Sequence, residues 1–369
     1  MFESPPLLNR LAGLSWRLLL VVAVLALAGY VLAKLLLILV PLALALMLLT
    51  LLIPVLQWLR RRGLPHPLAA GLTLVGALLL VIGLAILIIP IAVTQSGALR
   101  AYLPQGVETL QHWLTTGPFQ FSPETVDDYT ARIRVIVHNN WSFTASRVLS
   151  NAALGMQLLA GAILSLLMLI YFLIDGERIA RGLVGLVPAD HRELLRALSR
   201  RAWQALNAYV RGLLVMGIID TVVIGAALFF AGVPLVLPLA LLVFVAAFIP
   251  VVGWLLATGV IVLVTLADGG LTRAAVVLFG LLLFYFIEGN ILTPRIIGRA
   301  SNLHPLVTIL VLTAGGTLGG IPGAFIAVPL TAVGVAVVRE IRARQAAASS
   351  PPASLGVPAA QLASLPPLL

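Results

Sequence analysis

The sequence predicts an all-α polytopic membrane protein with about eight membrane segments, and three observations predict it. Of the 369 residues, 61% are hydrophobic and only 10% charged, against about 25% charged in soluble domains. Several runs close to 20 residues are apolar and free of charge, long enough to cross a bilayer as helix. The runs are continuous and do not alternate, which excludes a membrane β-barrel.

The net charge is +10. Its arginines stand in short clusters beside the apolar runs, the pattern that sets membrane orientation. The partner they imply is the lipid bilayer, not nucleic acid. There is no cysteine, and the five histidines are scattered, so no metal site is expected. No Gly-Lys-Ser/Thr follows any glycine cluster, so no nucleotide or other cofactor is expected either.

Residues 1–93 are expected to hold three membrane helices. The first, 16–33, lacks a small-residue cleavage site and is read as retained. Lys34 marks a turn, and 35–58 follows with Pro41 and Pro54 as kinks. Arg60-Arg61-Arg62 fixes the next turn on the cytoplasmic side, which places the N-terminus there too. Residues 94–150 mix charges with aromatics, giving an extracytoplasmic helical segment. Ser122-Pro123-Glu124 reads as a helix start. The fourth membrane helix, 151–174, stops at Asp175-Gly176. The arginine-rich stretch 175–208 repeats leucines at helical spacing, an amphipathic helix on the inner membrane face.

Residues 209–340 form the candidate transport region. The span 207–231 carries Arg211 near its start and Asp220 near its middle, and Gly232-Val233-Pro234 ends it outside. The run 235–266 would make a helix about 48 Å long against a ~30 Å apolar layer. Pro250 and Gly253 fall in its middle. The run 306–338 is also too long, and Gly319, Gly320, Pro322 and Gly323 interrupt it. Two broken or re-entrant hairpins obey the positive-inside bias better than two crossings, and both leave Arg339, Arg342 and Arg344 cytoplasmic. The two runs also resemble each other at an offset of about 71 residues, a matched pair of interrupted segments that points to a transport site. The tail 341–369 is rich in Ala, Ser and Pro and is expected to be disordered.

Between the two broken runs lies Phe284–Pro305. Here Glu288, Asn290, Thr293 and Pro294 stand close together in an otherwise oily setting. A carboxylate at that depth is costly unless something uses or pairs it. Glu288 either binds a proton or cation or pairs with Arg295. Asn290 and Thr293 either coordinate a solute or ion or satisfy backbone groups freed by Pro294. Asp220 either carries a proton or pairs with Arg211 or Arg273. His304, just before Pro305, reads as a cap.

These pieces resemble the autoinducer-2 exporter family of bacterial membrane proteins. The resemblance rests on Phe172-Leu-Ile-Asp175-Gly176-Glu177-Arg178, Tyr209-Val-Arg211-Gly212, Gly232-Val-Pro234 and Phe248-Ile-Pro250-Val-Val-Gly253. It continues through Ile287-Glu288-Gly-Asn290-Ile-Leu-Thr293-Pro294-Arg295, Leu303-His304-Pro305 and Gly319-Gly-Ile-Pro322-Gly323. It implies a multi-pass inner-membrane transporter with cytoplasmic termini that assembles as a homopentamer. Members are similar to exporters of a signal-type furanone, and others are associated with sodium/proton antiport. Asp220 departs from a span that is often uncharged in the family. The expectation is thus a secondary transporter exporting a small organic solute by alternating access, coupled to an ion gradient. The alternative is a sodium or other monovalent cation/proton antiporter. No Gly-x-Ser-x-Gly, His-Glu-x-x-His or facing Asp pair suggests an enzyme.

Overall fold

A computed structural model describes residues 6–118, 120–141, 152–296 and 304–349. Every regular element among them is helical. In chain order these are α1 (Pro6–Arg61), α2 (His66–Thr116), α3 (Pro123–Trp141), α4 (Ala152–Gly185) and α5 (Ala189–Phe230). Then come α6 (Val236–Ala247), α7 (Val252–Ile287), a π turn (Glu288–Leu292), α8 (Thr293–Ile296) and α9 (Pro305–Ser349). Six helical stretches among the described residues are long and apolar enough to cross a membrane. The chain is a polytopic all-α membrane protein.

Several helices run past the ends that the sequence suggests. The turn expected at Lys34 is absent, and α1 continues for 56 residues, about 84 Å. No glycine or proline lies between Tyr30 and Val40, and lysine is a good helix former. A lone charge therefore does not end the helix. At that length α1 holds both expected spans without a turn between them. Likewise α4 does not stop at Asp175-Gly176 but runs to Gly185. One interior glycine costs only about 1 kcal/mol. The break comes at Leu186-Val187-Pro188, where proline disfavours helix in the residue before it. Arg192 secures this end, donating from Nε to Val187 O at 2.9 Å and from Nη2 to Gly185 O at 3.3 Å. The amphipathic stretch and the following span are one helix, the 42-residue α5. At the far end of the chain α9 is helical to Ser349, because Ala, Arg and Gln favour helix and Arg344 pairs with Glu340 at 2.9 Å. The rest of the expected tail lies outside the described residues.

Residues 94–116 are helical and are not set off from the membrane helix before them. They continue α2, and Leu99, Leu103 and Val107 are buried. Leu99 and Leu103 share a core with Ile224 and Leu228 of α5, Leu239 and Val243 of α6, and Ile261 and Val264 of α7. Gly106 lies so close to the carbonyl of Leu263 that no side chain fits between them. The chain then turns, and α3 begins at Pro123 as the Ser122-Pro123 pair predicts. Gln111 Nε2 donates to Asp127 Oδ1 at 2.6 Å and ties α3 to α2.

Both overlong runs are broken, as their length requires. The first folds at Phe248–Val251 into two arms, α6 and the start of α7. At 12 residues, about 18 Å, α6 is too short to cross. Gly253 packs directly against Ala246 O. Val251 holds φ 66° at the tip, a left-handed conformation that is an outlier for a β-branched residue. The second arm ends at Gly270, φ 68°, where α7 bends back. Arg273 bridges that bend, pairing with Asp268 at 2.7 Å and reaching Gly232 O at 3.5 Å. The open end of this hairpin and the end of α5 therefore lie at one level. The second hairpin turns inside α9 at Gly320, φ 61°. A Cβ on Gly315 would stand 2.6 Å from Gly323 O and from Ala327 Cβ, so its arms touch through glycine. Pro322 opens the second arm, where a missing N–H costs nothing.

A second core joins Ala43 and Met47 of α1 to Tyr209, Leu213 and Met216 of α5 and Ile326 and Val328 of α9. A polar contact crosses beside it. Arg211 donates from Nε and from Nη2 to Thr50 O, each at 3.1 Å. In an α-helix that carbonyl takes its bond from the residue four places on. That residue is Pro54, which has no N–H.

Candidate functional site

A cavity of about 410 Å³ opens at the tip of the first hairpin. Tyr209, Leu213, Met216 and Asp220 of α5 line one wall, at the i, i+4, i+7, i+11 spacing of a single helix face. Ile249, Pro250 and Val251 form the hairpin tip over it. Trp254 and Tyr285 of α7, Glu288 and Gly289 of the π turn and Thr293 of α8 form the far wall. Thr308 and Val328 come from the two arms of the second hairpin.

The depth of the cavity follows from helix geometry. The tip lies about 18 Å along α6 from its start at Val236, and Asp220 about 15 Å along α5 from its end at Phe230. Both distances are near the middle of a ~30 Å apolar layer.

Among the described residues the two carboxylates stand without counter-charge. Asp220 is 4% exposed, and its Oδ1 has no hydrogen-bond partner among the described residues. Both cations considered for it are engaged elsewhere, Arg211 on Thr50 O and Arg273 on Asp268. Glu288 is half-buried, and among the described residues no ion pair joins it to Arg295. Among the described residues no arginine, lysine or histidine lines the cavity. No group of three potential metal ligands gathers among the described residues.

The π turn explains which polar residues face inward. The N–H of Thr293 bonds to Glu288 O, five residues back, which puts Thr293 beneath Glu288. In α geometry Leu292 would hold that place. Asn290 points away: it is exposed and its Nδ2 donates to Phe286 O at 2.8 Å. Phe286 O is not one of the carbonyls that Pro294 leaves without an N–H, which lie four or five residues before it. Pro294 is exposed, and Gly319 and Gly320 lie at the second tip, away from the cavity lining. His304 accepts at Nδ1 from Leu306 N–H, 3.2 Å, as a cap at the start of α9.

The sequence reading missed the aromatic wall. The Trp254 and Tyr285 rings lie 5.2 Å apart, tilted by 45°. Tyr285 precedes Glu288 by three residues and shares its helix face, so the helical period held this signal. Trp254 follows Gly253 directly at the tip. A further chain of rings, Phe244–Phe248 at 5.3 Å and Phe248–Phe325 at 5.9 Å, links the first hairpin to the second.

Comparison with known proteins covers nearly the whole chain. Residues 18–343 match the model of a family described as AI-2E family transporter. MT0215 of Mycobacterium tuberculosis, named "Putative transport protein", is 35% identical over 327 residues, 89% of each chain. YrrI of Bacillus subtilis, named in the same way, is 30% identical over 292 residues, 77% of this chain and 80% of that one. The AI-2 transport protein TqsA of Escherichia coli is 41% identical over 93 residues, 25% of this chain and 27% of its own.

Proposed function

The chain belongs to the AI-2E transporter family, and we propose that it is a secondary transporter that exports a small organic solute across the bacterial inner membrane. Alternating access of the two hairpins against α1, α2 and α4 moves the solute, and an ion gradient supplies the energy. The protein works as a homopentamer with its C-terminus in the cytoplasm. One observation carries this reading: Asp220 and Glu288, from different helices, face one small-molecule-sized cavity with no counter-ion among the described residues. Cavities of about 300–1,000 Å³ suit small ligands. Intramembrane carboxylates without structural partners mark ion and proton pathways.

The hairpin tips supply the moving parts. Pro250 and Gly253 set the first tip, and Gly319, Gly320, Pro322 and Gly323 the second. Pro294, after the π turn, lets α8 leave the line of α7. A second reading, a sodium/proton antiporter, is favoured by the oxygens of Glu288, Asp220 and Thr293 on one cavity, which suit a hard cation.

Flux in proteoliposomes, followed with a proton-sensitive dye, tests the proposal. Organic solutes and sodium are added in turn to wild type, Glu288→Gln and Asp220→Asn. A proton signal evoked by an organic solute and reduced at least about tenfold in both variants is expected. A sodium-evoked signal alone would select the antiporter. Full solute flux in Glu288→Gln would remove that residue from coupling.

A further inference from the structure

We infer that the cavity takes a small organic cation of the ammonium or guanidinium type and exchanges it for one proton. The inference rests on reading the cavity as a transport site. Three features of the lining carry it.

The charge inventory comes first. Among the described residues the lining holds two carboxylates and no basic side chain. An anion would add negative charge beside the carboxylates in an apolar layer, and a neutral solute would do nothing to balance a carboxylate that releases its proton. A cation supplies what the site lacks. Asp220, which lines the cavity, offers a buried oxygen without a hydrogen-bond partner among the described residues.

The second feature is the aromatic pair. Tyr285 lies one helical turn before Glu288, Trp254 packs on its ring, and both line the cavity. Indole and phenol faces attract organic cations, and gain most where water is displaced.

Size and apolarity form the third. A bare metal ion draws a tight shell of oxygens around itself at about 2.3–2.6 Å. This cavity is about 410 Å³ and much of its wall is Leu213, Met216, Val243, Val251 and Val328. Such a wall fits the hydrocarbon body of a solute whose charged head meets the carboxylates.

Charge balance then sets the exchange. With two protons bound, both carboxylates are neutral and the empty site is uncharged. With one organic cation and one proton bound, the site is again neutral. Each cation that leaves on one side is replaced by one proton from that side, so the cycle moves no net charge.

The test uses the full chain in proteoliposomes with a trapped proton-sensitive dye. Guanidinium is compared with its neutral isostere urea. Choline is compared with 3,3-dimethylbutan-1-ol and with the anion 3,3-dimethylbutanoate. A proton signal with guanidinium or choline, and none with the neutral or anionic partners, is expected. Asp220→Asn should reduce it more than about tenfold. Trp254→Leu should raise the half-saturating concentration about three- to tenfold and leave the maximal rate in place. A potential imposed with potassium and valinomycin should not alter the rate. A signal with the neutral or anionic solute, or with sodium alone, would overturn the cation assignment and leave the transport reading standing. A rate that follows the imposed potential would overturn the one-for-one exchange. Silence with every solute and ion, from protein that elutes as a folded species, would overturn the transport reading itself.

Discussion

Gly253→Val is expected to remove folded protein from the membrane fraction, while Gly259→Val, seven-tenths of a helix turn from it in phase but facing open space, is expected to leave the yield intact. A side chain at 253 would occupy the position of Ala246 O. The obstacle is backbone, which no rotamer change can move. Gly259 has nothing within 4 Å of a built Cβ. Overpacking of a tight contact costs about 1–3 kcal/mol when side chains can adjust, and here the two arms of the first hairpin must separate instead. Opening them exposes the tip residues Ile249–Val251 and dismantles one wall of the cavity. The measurement is the yield and thermal midpoint of detergent-purified protein. Gly315→Leu is expected to behave like Gly253→Val, since it meets Gly323 O and Ala327. A wild-type melting profile for Gly253→Val would mean that the two arms do not close on each other.

Arg211→Leu is expected to destabilise the protein by about 2–4 kcal/mol, and Pro54→Ala in the same chain to return most of the loss. Arg211 supplies the hydrogen bonds that Pro54 cannot give to Thr50 O. Without the guanidinium, a carbonyl is left bare inside an apolar core. Alanine at 54 restores an N–H four residues on and lets the helix satisfy its own carbonyl. Pro54→Ala alone should be nearly neutral. The coupling is read as a double-mutant cycle on thermal or denaturant midpoints. Additive effects of the two substitutions would show that Arg211 serves some other partner. Arg211→Lys should recover only part of the stability, because lysine lacks the planar fork that reaches one oxygen with two N–H groups.

Much of the fold was legible because the membrane imposes hard lengths. Runs 235–266 and 306–338 exceed one crossing, so they had to break, and proline and glycine showed where. Helix ends were harder. Lys34 and Asp175 look like boundaries because charge disfavours the bilayer core, yet charge does not oppose helix, and α1 and α4 run through both. The packing of 94–116 on the first hairpin was hidden as well, since polar composition says where a segment is soluble and not what it leans on. In the site, Glu288 and Asp220 were each visible as carboxylates in apolar runs. That they share a cavity depends on the first hairpin folding back between α5 and α7, which no local pattern encodes. Asn290 was grouped with Glu288 by nearness in sequence, although two residues at 100° each place it on the opposite face.

The five-residue turn at Glu288 has a consequence of its own. It holds one residue more than an α-helical turn would, and that surplus is what seats Thr293, and not Leu292, below the carboxylate. If a single backbone bond slides from the fifth residue to the fourth, the surplus passes along the helix. An isobutyl group then rotates to where a hydroxyl stood. The polarity of the wall next to Glu288 thus depends on one hydrogen-bond step of helix register.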